Sequence, residues 1–292
     1  MAFIDKLKTG KFIVTSEIGP PKGVDIREML EDADLIKDRV DAINVTDLQS
    51  SVLRLGSMAV CHLLKDRGIE PIVQMTCRDR NRLALQSDLL SSAVLGIENV
   101  LALTGDYPTL GDHPEAKPVF DLDSVELLDV IKSLNAGKDM NGNSLNGAPK
   151  FCAGAVVNPG ADPLEPEIIK MEKKIDAGAL FFQTQAVYDI ELFKRFLDAT
   201  KHLKTTILAG IVLLKSADMA KYMNKNVAGV FVPDSLIKEM DDAKDKSAKS
   251  IEIAARFIKE LKPLCRGIHI MPIGWNRKVP LVLDAAELVH SS

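Results

Sequence analysis

The chain has 292 residues, 46 % hydrophobic and 27 % charged, with a formal net charge of −4. The composition is that of an ordinary globular protein, and the length suits one α/β barrel of roughly 250 residues better than two medium domains. The negative balance argues against phosphate-driven nucleic-acid binding, no apolar run approaches the roughly 20 residues of a membrane span, and the opening MAFIDKLKTGKF has no apolar signal-peptide core, so a soluble, cytoplasmic protein is expected.

Cysteine usage narrows the chemistry. Cys61, Cys77, Cys152 and Cys265 are scattered and form no CxxC pair. A zinc or iron–sulfur site built from this chain alone is therefore not expected, and no metal ligands are assigned. Wide scatter and apolar neighbours mark the thiols as reduced; Cys77, among polar residues, is set apart.

In chain order, an amphipathic turn (Phe3, Ile4, Leu7) leads into a β-branched strand over Lys11–Ile18 that carries Glu17 near its end and stops at Gly19-Pro20-Pro21. A helix follows from Ile26 to Lys37, then a strand over Val40–Val45 closed by Thr46-Asp47. Ser57 is placed to cap a helix running to Arg67, stopped by Gly68. Glu70–Met75 reads as strand three, and Leu83–Leu95 as a helix ending at Gly96. The run Val100–Leu103 has no polar alternation, as in a strand covered on both faces, and it ends in Thr104-Gly105-Asp106. Tyr107–Asp121, with three prolines and one glycine, has the length of a functional lid. A helix over Ser124–Leu134 precedes a Gly- and Asn-rich excursion, Ala136–Pro149. Strand five, Phe151–Val157, is closed by Asn158 to Pro163, and a helix over Pro166–Asp176 has proline near its start. Strand six covers Ala179–Thr184 and ends at Gln185; a helix spans Ile190–His202; strand seven is Thr206–Leu213. Helical stretches over Ser216–Met223, Asp234–Met240 and Ala248–Leu261 lead to strand eight, Gly267–Met271, and a last helix, Val279–Leu288.

Eight sequential strand–helix units predict a single-domain (β/α)8 TIM barrel over residues 1–292; a doubly wound sheet is the alternative. In a barrel the residues just past each strand meet at one mouth. Here these are Glu17, Asp47, Thr76 to Arg80, Asp106, Asn158, Gln185 and the Pro272-Ile273-Gly274-Trp275 turn. Glu17 among apolar neighbours is partly desolvated, which suits a general acid. Asp106 reads as a second rim carboxylate or a turn former, and Gln185 as an amide donor and acceptor or a helix cap. The run TCRDRN, Thr76 to Asn81, offers Arg78 and Arg80 at a helix start, a phosphate cradle or a surface salt-bridge cluster. Lys173 and Lys174 reach a phosphate or face solvent. His62 and His202 fall in helices, His290 is near the terminus, and His269, inside strand eight, reads as a core histidine. GxSxG, P-loop, HExxH and GxGxxG motifs are absent.

Taken together, Ser16-Glu17-Ile18-Gly19-Pro20-Pro21, Val45-Thr46-Asp47, Thr76-Cys77-Arg78-Asp79, Leu101 to Pro108, Lys174 to Ala179 and Thr184-Gln185 occur in an order and spacing that resemble the flavin-dependent methylenetetrahydrofolate reductases. The resemblance implies a (β/α)8 barrel that carries a flavin at its C-terminal mouth and reduces 5,10-methylenetetrahydrofolate to 5-methyltetrahydrofolate. It implies Glu17 as general acid and Asp106 as a catalytic residue contacting pterin and flavin. Gln185 would join them in holding the folate. Thr76, Arg78, Thr104, Gly105, Asp106, Asn158, Asp162, Lys173 and Lys174 take the positions of cofactor-binding residues. The chain departs from better-studied bacterial members at Gln74, Thr104, Asn158, Asp162, Lys170 and Lys173, which leaves FAD, the family default, and FMN both open. Its short length and its Gly267 to Trp275 run resemble acetogen-type reductases, implying an oligomer with a second, zinc- or iron–sulfur-bearing subunit. Two rival functions remain at this level: a pterin-binding methyltransferase barrel, and a flavin-binding electron-transfer subunit.

Overall fold

The computed structural model describes residues 1–288; His290, noted above, lies outside them. Eight parallel strands close into a barrel in chain order: β1 (Ile13–Ile18), β2 (Ala42–Val45), β3 (Pro71–Thr76), β4 (Asn99–Leu103), β5 (Cys152–Val157), β6 (Phe181–Ala186), β7 (Thr206–Val212) and β8 (Gly267–Met271), with β1 paired to β8. The doubly wound alternative is thereby excluded. The helices are α1 (Phe3–Lys8), α2 (Arg27–Ile36), α3 (Ser57–Asp66), α4 (Arg82–Val94), α5 (Ser124–Asn135), α6 (Glu165–Asp176), α7 (Ile190–Thr200), α8 (Ala217–Asn226), α9 (Asp234–Asp242), α10 (Lys246–Leu261) and α11 (Val279–Ala285). Among the described residues, no helix is long and apolar enough to cross a membrane.

The near-continuous apolar strands reflect burial on two sides. One face of each strand joins the large core between sheet and helices, as Val14, Ile43, Val73, Val100, Ala155, Phe182, Ile211 and Ile268 do. Alternate residues form a separate cluster within the barrel: Ile13, Ala42, Ile72, Leu101, Cys152, Phe181 and Leu208. Phe3 of α1 joins them, its ring set edge-on to Phe181 at 5.3 Å. The amphipathic N-terminal turn is thus a plug for the lower end of the barrel. Each large apolar side chain buried in this way contributes about 1.5–3 kcal/mol.

Several local expectations change. Ser57 is the first helical residue of α3, not its cap: Gly56 holds that place, and the Ser57 hydroxyl donates to the Gln74 carbonyl at 3.1 Å. Tertiary contact outbid the local capping bond. The last helix ends at Ala285 rather than Leu288, and Gln185 lies inside β6 rather than after it. Cys77 is fully buried despite its polar neighbours, its thiol pushed up to about 12 mainly by desolvation. All four thiols are free.

Candidate functional site

The C-terminal mouth holds two adjoining basins. One, of about 350 Å³, is lined by residues that follow β2 to β6, among them Thr76, Arg78, Gly105, Asp106, Asn158, Lys174 and Gln185. The other, of about 410 Å³, lies over β1 and β8 and includes Glu17, Gly19, Thr46, Pro272 and Asn276. Gln49 and Ser50 line both, so the short helical turn Gln49–Ser51 is the partition. Both volumes fall in the range of small-molecule pockets.

The partition is strained and pinned. Leu48, Ser50 and Ser51 have φ of 45°, 56° and 57°, left-handed values that cost a non-glycine residue about 1 kcal/mol or more each. Three contacts hold them there. Arg78 donates to the Leu48 carbonyl at 3.2 Å, and the Ser51 hydroxyl donates to the Asp106 carbonyl at 3.2 Å. Gly111 sits so close that a Cβ would lie 1.9 Å from the Ser51 carbonyl oxygen. The lid-length segment after β4 is therefore docked on the β2–α3 loop. Asp112 adds to the docking by accepting from the Leu53 amide at 3.0 Å and pairing with Lys22.

Polar groups at the mouth divide into committed and free. Asp47 is committed: it accepts from the Thr76 amide and hydroxyl at 2.9 and 3.0 Å and from Arg80 at 2.8 Å. Arg80 also pairs with Asp88 at 2.8 Å. Arg78, buried, pairs with Asp79 at 2.7 Å and donates to the Asp106 carbonyl at 3.3 Å. Asn81 caps α4 through the Leu83 and Ala84 amides. The TCRDRN run is thus a bracing network whose guanidinium groups are satisfied internally, not an open phosphate cradle. Asn158 is committed as well, donating to the Ala228 carbonyl at 3.0 Å and accepting from the Gly160 amide at 3.1 Å.

The free groups are the informative ones. Among the described residues, nothing hydrogen-bonds the carboxyl of Glu17, although Glu17 is 7 % exposed. Thr46 is buried, and its hydroxyl has no partner. Both line the same basin. A buried polar group without a partner costs about 1–3 kcal/mol, and such groups call for an explanation such as an absent ligand. In the neighbouring basin the Asp106 carboxylate, the Gln185 amide and the Lys170 ammonium have no hydrogen-bond or ion-pair partner among the described residues. Lys174 is turned inward from α6: its ammonium donates to the Val156 carbonyl at 2.6 Å, and burial holds its pKa down to about 8. Gly105, at φ 96°, takes a conformation that side chains disfavour, and a Cβ there would press on Arg78 and Thr76 at 3.1 and 3.2 Å.

The methylenetetrahydrofolate reductase family model matches residues 3–287. The chain belongs to that family. Methylenetetrahydrofolate reductase 2 of Schizosaccharomyces pombe is 25 % identical over 98 % of this chain and 47 % of its own length. The 5,10-methylenetetrahydrofolate reductase of Escherichia coli is 25 % identical over 86 % of this chain and 82 % of its own. This family member therefore spans about half the length of the yeast relative. Among solved structures, a Clostridium thermocellum protein that binds two copies of 5-methyl-5,6,7,8-tetrahydrofolic acid shares the fold. Its TM-score is 0.68 at 18 % identity, over 97 % of both chains.

The residues expected at the reductase-type mouth are not brought to one place. Asp106 and Gln185 share the first basin with Thr76, Arg78, Thr104, Gly105, Asn158 and Lys174, whereas Glu17 opens into the second. Asp162 and Lys173 line neither; both are exposed, Lys173 on the outer side of α6. Helical periodicity accounts for the split between Lys173 and Lys174, since adjacent residues point about 100° apart. The unpartnered Thr46 is a site residue that the sequence reading passed over. That reading also gave no weight to a layer of inward polar residues, Thr15, Asn44, Gln183 and His269, which lie inside strands below the mouth and line neither basin. A polar residue at a core-facing register position is the signal that marks them.

Proposed function

We propose that this chain reduces 5,10-methylenetetrahydrofolate to 5-methyltetrahydrofolate, with the substrate over Glu17 and a flavin in the adjoining basin. The observation that carries the reading is one basin that holds the partnerless Thr46 hydroxyl beside the Glu17 carboxyl, which has no hydrogen-bond partner among the described residues, separated from the Asp106 basin by the Gln49–Ser51 turn. The whole chain is read as one barrel domain.

The first basin fits a flavin. Leu103, Val156 and Val157 give it an apolar wall, and Lys170 and Lys174 put two ammonium groups on one side for an anionic tail. Thr76, Arg78, Thr104, Gly105 and Asn158 shape the rest. Four of the six departures from the bacterial pattern, Gln74, Thr104, Asn158 and Lys170, line this basin, so the reading takes either FAD or FMN. A bound reduced flavin supplies the hydride that the reduction needs.

The protein's own residues do the rest. Glu17 gives its carboxyl proton to the bridging nitrogen of the substrate, the bond from that nitrogen to the methylene carbon breaks, and a substrate iminium cation remains. General acid catalysis of this kind contributes about 10²–10⁴-fold. The free Asp106 carboxylate offsets the developing positive charge. Gln185 presents a donor and an acceptor to the heterocycle. The partition at Gln49–Ser51 keeps the two ligands in register. Operation in the cytoplasm, as an oligomer with a metal-cluster subunit as electron source, completes the reading.

The test is reconstitution. Purified protein mixed with FAD or FMN should retain one flavin per chain, and methylenetetrahydrofolate should reoxidise that flavin once it is reduced. No retained flavin, or reduced flavin inert to the folate, overturns the reading. A second reading draws on the two basins of similar volume and on the clostridial neighbour with two bound methylfolates: a flavin-free folate-binding barrel, the methyltransferase alternative. It predicts two methyltetrahydrofolate sites per chain by calorimetry, where the reductase reading predicts one in the flavin-loaded protein.

A further inference from the structure

Among the described strands the ladder slips at one seam, between β6 and β7. Gln183 of β6 pairs with Leu208 of β7, and the next pair is Ala186 with Gly210. Three steps along β6 are matched by two along β7, so β6 carries one extra residue, a bulge. The other side of β6 is regular: Val156 pairs with Gln183 and Val157 with Thr184. Bulges are rare in parallel sheets and concentrate beside active sites, where they re-aim a side chain. The two residues caught in this one are Thr184 and Gln185. The first is buried, and the second is exposed and lines the first basin.

We infer that Thr184 is the positioning residue that sets this bulge and, through it, holds the Gln185 amide at the mouth for the folate. The inference rests on the folate-binding role proposed for Gln185. The Thr184 hydroxyl makes two bonds at the break. It accepts from the Gly210 amide at 2.9 Å and donates to the Gln185 carbonyl at 2.7 Å. In an unbroken parallel ladder a backbone carbonyl of β6 would take the Gly210 amide. The hydroxyl stands in for that carbonyl, so the backbone groups at the break are satisfied without regular pairing. The ladder resumes at once, with the Val187 amide donating to the Gly210 carbonyl at 2.9 Å.

The facing strand is shaped to the bulge. Gly210 lies so close that a Cβ there would stand 2.3 Å from the Thr184 carbonyl oxygen and 2.9 Å from that of Gln185. With no side chain at 210, β7 rests directly on the bulged backbone. The glutamine two positions earlier shows what the bulge adds. Gln183, still in regular register, is 2 % exposed and exchanges amide bonds with Asn44 inside the barrel. The Gln185 amide has no hydrogen-bond partner among the described residues. Nothing but its own backbone fixes where it stands, and Thr184 grips that backbone at the Gln185 carbonyl. A group carried on a braced strand is placed more exactly than one carried on a loop.

The experiment is a mutant cycle in the flavin-loaded protein. Gln185→Ala sets the scale: KM for methylenetetrahydrofolate should rise about 3–10-fold, the worth of one net hydrogen bond. Its kcat should stay near the parental value, as when binding is lost equally from ground and transition states. Thr184→Val, nearly the same shape without the hydroxyl, should raise KM to the same degree, and Thr184→Ser, which keeps the hydroxyl, should return it close to parental. Thr184→Ala takes the place of the valine variant if that protein does not fold. The flavin dissociation constant should be unchanged throughout, whereas general damage to the mouth would loosen the flavin as well. The double variant Thr184→Val/Gln185→Ala should be no weaker than Gln185→Ala alone, because both remove the same contact. A parental KM in folded Thr184→Val overturns the proposal, as do a serine variant as weak as the valine one and losses that simply add in the double variant. Failure of the underlying reading looks different: Gln185→Ala would then leave KM unchanged, whereas failure of positioning alone leaves Gln185→Ala weakened and Thr184→Val normal.

Discussion

The lower and upper halves of the barrel interior use the same strands and the same alternation, yet opposite chemistry. At the lower end Ile13, Ala42, Ile72, Leu101, Phe181 and Leu208 close against Phe3 of α1 as a separate apolar cluster. Two residues further along the same strands stand Thr15, Asn44 and Gln183, with Glu17 four residues past Ile13 and His269 on β8, all buried and polar. The lower half is apolar packing that holds the barrel together; the upper half forgoes that packing to present groups to a mouth. Committed groups such as Asp47 and Arg78 brace it, and free groups such as Glu17, Thr46 and Asp106 remain available. A stability defect and an activity defect should therefore separate along the barrel axis.

Substitution at each level can break that contrast. The largest effect is expected at Glu17→Gln, which removes the proton but keeps the shape: the folate-dependent step should slow by about 10²–10⁴-fold. Stopped-flow traces should show flavin reduction by an external donor unaffected, and equal loss of both steps would reject the assigned role. Phe181→Ala should do the reverse. It opens a void beside Phe3 in the apolar layer and should cost about 3–5 kcal/mol in denaturant unfolding. The fraction still folded should keep its turnover; a selective loss of activity would dissolve the distinction between the halves.

Smaller effects sharpen the map of the first basin. Burial holds Lys174 down to about 8, so the ammonium is charged well below that pH, half charged at it and neutral well above it. Attraction for an anionic cofactor tail is therefore present below about pH 8 and fades as pH rises through it. Flavin dissociation constants measured across this range should rise above pH 8 in the parent, and that rise should be absent in Lys174→Met. The smallest effect is expected at Lys173→Ala and Asp162→Ala, whose side chains are exposed and line neither basin. Each should alter flavin binding by no more than about 0.5 kcal/mol. A tenfold loss at either position would show that the basin extends further along α6 or the β5–α6 loop.

Much of the architecture was legible in the chain itself. Eight β-branched or apolar runs, each followed by helical periodicity, specify a barrel because a strand buried on both faces must be continuously apolar. Residues that terminate strands, among them Asp106 and Asn158, could be assigned to the mouth for the same reason. Gln185, expected just past strand six, is the penultimate residue of β6, because the strand runs on to Ala186; it still lines the mouth. Family resemblance supplied roles that periodicity alone could not.

Tertiary structure decided which of those groups are free. In sequence Arg78 and Arg80 look as available as Lys174, yet Asp79, Asp47 and Asp88 neutralise them from three different segments. Ser57 reads as a cap until the Gln74 carbonyl comes within reach of its hydroxyl. His269 reads as a core histidine until the β1–β8 seam closes and sets it between Thr15 and Glu17. Periodicity says which way a side chain points, because that depends on a few consecutive backbone angles. Whether the side chain finds a partner there depends on residues dozens or hundreds of positions away, and only closure of the barrel brings those together.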